Sequence, residues 1–346
     1  MIPNKNDLRK RVDRLKKNIC LILCLLLCLF SIACGVQEKT YPAEDYILEL
    51  PYKDDFKILQ LTDIHVGNKD NLALQFDFID KTISEAGADM IIVVGDLFTF
   101  ADKTTARELF IFLDSYGIPW TVTFGNHDEQ CYFSIDWLTS LLNSYGSNCV
   151  FRDIQGDDVF GYANFAIDLM KDGEVFEQLI VMDSNRYDFG ENRSYDYIKD
   201  SQIDWYERLV NYTTDQNGGE AVDSLLFFHI PLPEFADAWN AAQNGSPDAV
   251  LECGEMNEKV SCPKYNSGFF DKILTLDSSR AIIVGHDHVN NFRVLYKGIY
   301  MCYGINSTDR IYYQDGMIGG QVITVHSDHS LSFDQIYHEY SEVRDE

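Results

Sequence analysis

Short unbroken apolar runs recur along the chain with amphipathic stretches between them. "FKILQL" (56–61), "MIIVV" (90–94) and "WTVTF" (120–124) are bounded by polar residues, and such runs predict strands buried on both faces. Between them, 72–86 and the region near 103–116 carry apolar residues on one side of a helical period. This alternation is βαβαβ logic, which favours a parallel sheet with its crossover helices outside. Further strands are predicted at "VFGYANFAI", "EQLIVM" and "SLLFF", with a helix around 200–212 between the last two. Residues 231–266 read as loop-rich, "GFFDKILTL" as a helix, "AIIV" (281–284) as a strand, and the remainder as strand-like segments. Residues 34–54 read as a linker with a leading strand at "YILEL", and without repeats or low-complexity tracts 55–340 reads as one compact α/β domain.

The N-terminus departs from this pattern. A basic start, "KNDLRKRVDRLKK", precedes "NICLILCLLLCLFSIACG", whose apolar stretch covers residues 19–33. That falls short of the ~20 residues of a bilayer span and suits the core of a secretory signal, so 1–33 is set aside as a leader. Ala33 before Cys34-Gly35 resembles a bacterial lipobox, with Ser31 where leucine is usual. Lipidation of Cys34, ordinary cleavage and a retained N-terminal anchor all stand, and each implies an exported protein, as a membrane-anchored cell-surface lipoprotein on the first reading.

Hydrophobic residues make up 46% of the chain, enough for a large core, and the net charge is −27. Removing a leader with seven basic and two acidic residues deepens that charge to −32. Such a surface repels nucleic acid, so no nucleic-acid-binding face is expected. An anionic substrate would need concentrated positive charge, which bound metal ions would supply. Of nine cysteines, Cys131, Cys149, Cys253, Cys262 and Cys302 lie beyond the leader and Cys34. Their odd number and the lack of a C-x-x-C pair argue against a zinc ribbon, while Cys253 and Cys262 could close a small loop in an oxidising compartment.

Candidate chemistry sits where the apolar runs end. "FKILQL" ends in Thr62-Asp63-Ile64-His65, "MIIVV" in Gly95-Asp96, "WTVTF" in Gly125-Asn126-His127-Asp128, "SLLFF" in His229, and "AIIV" in Gly285-His286-Asp287-His288. Each has an ordinary reading taken singly: an Asp after a strand caps a helix, an Asn serves a turn, a lone His is structural. Together they place metal-competent side chains at one edge of several buried strands, where open α/β sheets bind ligands. Gly285 is expected to permit a sharp turn that delivers His286 and His288.

The ordered series "DIH", "GD", "GNHD", "H", "GHDH" resembles the calcineurin-like metallophosphoesterase superfamily. "LLFFHIPLPEF", "YNSGFF" and "GHDHVNNF" resemble its purple-acid-phosphatase-like branch. That resemblance implies a two-sheet β-sandwich flanked by helices on both outer faces, a four-layer αββα fold. It implies two divalent or trivalent ions (Mn, Fe or Zn), one held by Asp63, His65 and His288 and the other by Asn126, His229 and His286, with Asp96 shared. A metal-bridging hydroxide would attack a phosphate ester, His127 would protonate the leaving oxygen or stabilise the developing negative charge, and Asp128 would orient His127 or cap a helix. Asp287 would support a ligand or serve the turn. Purple acid phosphatases carry a tyrosine ligand where this chain has Thr99, so the iron–tyrosinate chromophore is not expected.

The implied function is phosphate monoester hydrolysis. Phosphodiester or nucleotide hydrolysis on the same site, and a catalytically silent surface-anchored binding protein, are the alternatives. Pro231 and Pro233 would stiffen the chain after His229, "CGEMNEKVSCPKYNSG" is a candidate for substrate selection, and Arg186, Arg193 and Arg293 are candidates for phosphate contact.

Overall fold

Successive side chains of a strand point to opposite faces, so an apolar run in a sheet covered on both sides feeds two cores at once. The computed structural model describes residues 40–68, 72–146, 148–154, 158–189 and 194–344, and the chain from Tyr41 onward forms one compact unit. The leader, the lipobox and Arg193 lie outside the described residues. No described helix is long and apolar enough to cross a membrane.

In chain order the main elements are β1 (Ile47–Pro51), β2 (Phe56–Leu61), α1 (Leu72–Ala86), β3 (Met90–Val94), α2 (Lys103–Asp114), β4 (Trp120–Thr123) and α3 (Ile135–Asn143). There follow β5 (Phe165–Lys171), β6 (Glu174–Val181), the short β7 (Tyr187–Asp188) and β8 (Ser194–Tyr195), α4 (Asp200–Gln216), β9 (Ser224–Phe227) and α5 (Glu234–Gln243). The chain closes with β10 (Ala249–Cys253), α6 (Phe269–Leu276), β11 (Ser279–Val284), β12 (Arg293–Tyr296), β13 (Ile299–Tyr303), β14 (Ile318–Val325), β15 (Leu331–His338) and α7 (Tyr340–Arg344). One sheet has five strands in the order β15-β14-β2-β3-β4 and the other eight, β1-β5-β6-β9-β11-β13-β12-β10.

The expected four layers are present. Leu225 and Phe227 of β9, with Ala281 and Ile283 of β11, share the core of the five-stranded sheet. Leu226, Phe228, Ile282 and Val284 turn the other way, onto Trp205 and Tyr206 of α4, Phe235 of α5 and Phe269 and Ile273 of α6. Helix α2 starts at Asp102, whose carboxylate accepts the Thr104 and Thr105 N–H groups at 2.9 Å each. It buries Thr105, Ala106, Leu109, Phe110 and Leu113 along one side.

Several elements differ from the pattern reading. Strands β2, β3 and β4 form the expected parallel βαβαβ unit, but antiparallel β14 and β15 complete their sheet, and β6, β9, β11 and β13 make a second parallel set in the other. The strand expected from Val159 begins at Phe165, because Gly161 and Ala163 take positive φ values of 84° and 54° and break the extended chain. The loop-rich region contains α5 and β10, and α5 buries only Phe235 and Ala238, too narrow a stripe to announce a helix. Helix α3, with Ser134 accepting the Trp137 N–H at its start, was not foreseen. Cys131, Cys149, Cys253, Cys262 and Cys302 are all free thiols, so no disulfide closes the 253–262 loop.

The two sheets are tied together at one end. Thr62, just past β2, pairs with Asn306, just past β13. Its N–H donates to Ser307 Oγ at 3.0 Å and its carbonyl accepts the Ser307 N–H at 3.0 Å. Buried Gln60 sends Nε2 from β2 across to the Val284 carbonyl of β11, 3.0 Å away, and Thr123 of β4 donates to the Met182 carbonyl at 2.7 Å. Replacing Gln60 with Leu leaves the Val284 carbonyl only the Gly304 N–H and strips buried Gln321 Nε2 of its acceptor, which costs about 1–3 kcal/mol. Denaturant unfolding of Gln60→Leu should show a loss of that size, and an unchanged midpoint would mean that this cross-sheet bond does not hold the edge together.

Candidate metal centre

The tied edge is the carboxyl end of β2, β3, β4, β9 and β11, and five of the polar segments noted in the sequence converge there. Four residues at these strand ends have left-handed backbones: Asp63 (φ 56°), His65 (51°), Asp96 (50°) and His286 (79°). Non-glycine residues adopt this region at a cost of order 1–3 kcal/mol each, tolerated where surrounding structure imposes it, most often at functional sites. Gly285 itself is not left-handed. A Cβ there would lie 1.9 Å from Thr62 Oγ1 and 2.8 Å from Asp63 Oδ2, so glycine is required for close approach of β11 to β2, while His286 makes the turn. Gly125 plays the same part for β4, where a Cβ would sit 2.2 Å from Asp96 Oδ1.

The side chains form two groups, Asp63 with His65 and His288, and Asp96 with His229 and His286. All six are buried, with the donor atoms of each group within 4.8 Å of one another. Asp96 Oδ2 lies 3.1 Å from His229 Nε2 and 3.7 Å from His65 Nε2, within reach of both groups. Asp63 Oδ1 lies 3.3 Å from His288 Nε2 and 3.8 Å from His229 Nε2. Asn126 Oδ1 and His286 Nε2 are buried without a hydrogen-bond partner. Unsatisfied buried polar atoms are costly, and these two belong to the residues read as ligands. Their mixed oxygen and nitrogen chemistry fits a pair of Mn, Fe or Zn ions.

The opposite edge of three of the four rings is held in place. His65 Nδ1 meets Thr99 Oγ1 at 2.7 Å, His229 Nδ1 donates to the Val94 carbonyl at 2.9 Å, and His288 Nδ1 to the Tyr312 carbonyl at 2.7 Å. Tyr312 also stacks on His288 with ring centroids 4.1 Å apart. Asn126 donates its Nδ2 to Tyr187 Oη at 2.7 Å, which turns Oδ1 away as the free donor atom. Such outer contacts set the tautomer and orientation of ligating groups.

His127 stands beside the cluster, half-buried, its ring edge-on to His65 at 5.0 Å. Its backbone N–H donates to Asp96 Oδ1 at 2.8 Å and its Nδ1 meets Gln130 Oε1 at 2.9 Å. The role expected of Asp128 as its orienting partner is therefore corrected. The Asp128 carboxylate accepts the Phe98 and Gly125 N–H groups at 3.0 and 2.7 Å and braces the β3 and β4 ends. Nor does it cap a helix from outside, since it is the first residue of a short 3-10 turn. Asp287 binds Tyr303 Oη at 2.6 Å and the Ser261 N–H at 3.1 Å, joining the turn to the 253–268 segment. Arg293 donates to Glu252 at 2.8 Å, whereas Arg186 lies 3.2 Å from Glu129, two residues past His127, with its Nε and one Nη buried and without a hydrogen-bond partner. A third carboxylate–histidine group, Glu177, Asp223 and His329, lies at the other end of β9 and is bridged by Arg280.

Electrostatics divides the imidazoles. Burial pushes His65 and His286 down to about 3. For His229, burial is outweighed by Asp96 and Asp63, which hold it up to about 10, and Asp63 likewise raises His288 against its burial. Burial also works against the charge on Asp63 and Asp96, but these imidazoles keep both carboxyls well below the usual range. Burial and then the Asp96 charge push Asp128 up to about 8.

A profile of the calcineurin-like phosphoesterase family matches residues 56–290, and the chain belongs to that family. It is 28% identical over 294 residues to an Arabidopsis thaliana protein named probable inactive purple acid phosphatase 28, covering 74% of this chain and 72% of that one. Probable inactive purple acid phosphatase 29 of the same plant is 28% identical over 319 residues, covering 82% and 77%. Phosphatase DCR2 of Saccharomyces cerevisiae is 25% identical, covering 72% of this chain and 47% of its own. A dimetal phosphatase structure from Danio rerio superposes with a TM-score of 0.51 over 79% of this chain and 96% of its own, at 12% identity, and shares the fold.

Metal binding requires neutral imidazoles, and in the metal-free site His229, held up to about 10, keeps a proton that an entering ion must displace, with His288 shifted in the same direction. Apparent metal affinity should therefore rise with pH across the neutral range, with about one to two protons released as the site fills. Titration calorimetry in buffers of different ionisation enthalpy would read this release, and pH-independent uptake without it would contradict the assigned protonation.

Proposed function

We propose that this chain hydrolyses phosphate monoesters at a dinuclear metal centre held by Asp63, His65, Asp96, Asn126, His229, His286 and His288. The observation that carries the reading is the joint presence of two adjacent donor groups sharing carboxylate oxygens and, at their rim, a histidine outside both groups. Two ions bound there would neutralise phosphoryl oxygens and acidify a water for attack on phosphorus.

The chain's own residues supply the rest. Thr99, Val94 and Tyr312 fix the three rings so that their Nε2 atoms face the centre. With His127 Nδ1 engaged by Gln130 Oε1, Nε2 is the ring nitrogen left free, and a proton on it would pass to the departing oxygen. With Arg293 paired to Glu252, charge compensation falls mainly to the metal centre. The likeness to phosphatases favours monoesters over diesters or nucleotides. Two plant relatives carry "probable inactive" in their names, and a silent binding role is the second reading; the full set of donors and His127 argues against it here.

The test is to strip the protein of metal, reload it separately with Mn, Fe and Zn, and compare an aryl phosphate monoester with the matching diester. Turnover should return with metal and favour the monoester. His127→Ala should keep its ions and lose about 10²–10⁴-fold in kcat, the usual share of general acid catalysis. Preference for the diester would select the alternative reaction, and no turnover by the fully loaded protein would favour the binding role.

A further inference from the structure

Beside the candidate metal centre lies a cavity of about 750 Å³ lined by the β7–β8 pair and by residues from Lys259 to Lys264. Its volume falls within the range that accepts organic molecules rather than a bare phosphate. One wall is aromatic. Tyr187 and Tyr195 stack at 5.6 Å and 27°, and Phe189 continues the row at 5.8 Å from Tyr187. Val260, Cys262 and Pro263 contribute to the facing wall.

The aromatic wall touches residues of the centre, and the facing wall is tied to the turn between His286 and His288. Tyr187 Oη receives the Asn126 amide at 2.7 Å, and Tyr195 meets His286 edge-on at 4.4 Å. The facing segment is held by the Ser261 N–H on Asp287 Oδ2 at 3.1 Å and by the Lys264 N–H on Ser194 Oγ at 3.1 Å. A phosphoryl group at the metal centre would thus present its ester substituent to this cavity. Phe189 is 83% exposed, a large apolar ring left in water at the cavity wall. An exposed aromatic row gains most by stacking on another flat ring, because π faces combine area with favourable offset geometry.

We infer that this cavity is the subsite for the organic group of the substrate, and that this group is a planar aromatic ring, an aryl or a nucleobase. The inference rests on the phosphoesterase reading for the position of the phosphate, but its test does not require turnover. Phenylphosphonate and methylphosphonate, which present the same head to the metals and cannot be hydrolysed at an ester bond, are titrated into the metal-loaded protein by calorimetry. Phenylphosphonate should bind at least about fivefold more tightly, the low end of one aromatic stacking contact. Phe189→Ala should abolish most of that difference and Phe189→Tyr should keep it.

Equal binding of the two phosphonates, no measurable binding of phenylphosphonate, or discrimination untouched by Phe189→Ala would overturn the subsite. In parallel, a nucleoside monophosphate, phenyl phosphate and glycerol phosphate are offered as substrates. A lower KM for the nucleotide than for phenyl phosphate identifies a nucleobase, and the reverse order identifies an aryl group. Phosphonate discrimination without hydrolysis of any ester would uphold the subsite while refuting the phosphatase reading.

Discussion

Asp63 and Asp96 are two carboxylates shut away from water at the ends of neighbouring parallel strands, and the surrounding architecture answers the cost of keeping them there. Burying a carboxylate is unfavourable unless opposite charge and hydrogen-bond donors reach it. Here His229 and His288 supply charge, while the His127 and His286 backbone N–H groups reach Asp96 Oδ1 and Asp63 Oδ2 at 2.8 and 2.9 Å. Reaching them requires strands from two different sheets to come within contact. The missing side chains at Gly125 and Gly285 and the left-handed backbones at four of the donor residues are consequences of that crowding.

The same constraint explains the polar bonds across an otherwise apolar sandwich. Gln60, Thr62 and Thr123 sit among buried strands, and each bonds across to the eight-stranded sheet or its strand ends near the centre. They hold the two edges close enough for one cluster to draw donors from both sheets. Rigid strands and locked rings present donor atoms already aimed, so little ordering is left for a ligand to impose.

The donor residues were legible because metal chemistry demands particular residue types and the sheet delivers them at strand ends, a position readable from the apolar runs. The central strands β2, β3, β9 and β11 were legible for a related reason, since burial on both faces leaves an unbroken apolar signature. Tyr187, Tyr195, Gln130 and Tyr312 were not, because each reaches the cluster from a loop or short strand whose sequence carries no periodic signal. Thr99 stood out only as a departure from a related pattern, and its bond to His65 gives that departure a positive role. Asp128 was misread because adjacency in sequence to His127 was taken for contact, whereas the chain turns so that its carboxylate faces the Phe98 and Gly125 amides.

On the reading proposed above, one buried set of donors holds two ions through shared carboxylate oxygen. Metal content measured on the loaded, desalted protein by elemental mass spectrometry, for the wild type and for Asp96→Asn, tests it most directly. Two ions per folded wild-type chain are expected, with a marked loss of occupancy when the shared carboxylate becomes an amide. A single ion in the wild type, or two ions retained undiminished by Asp96→Asn, would contradict it.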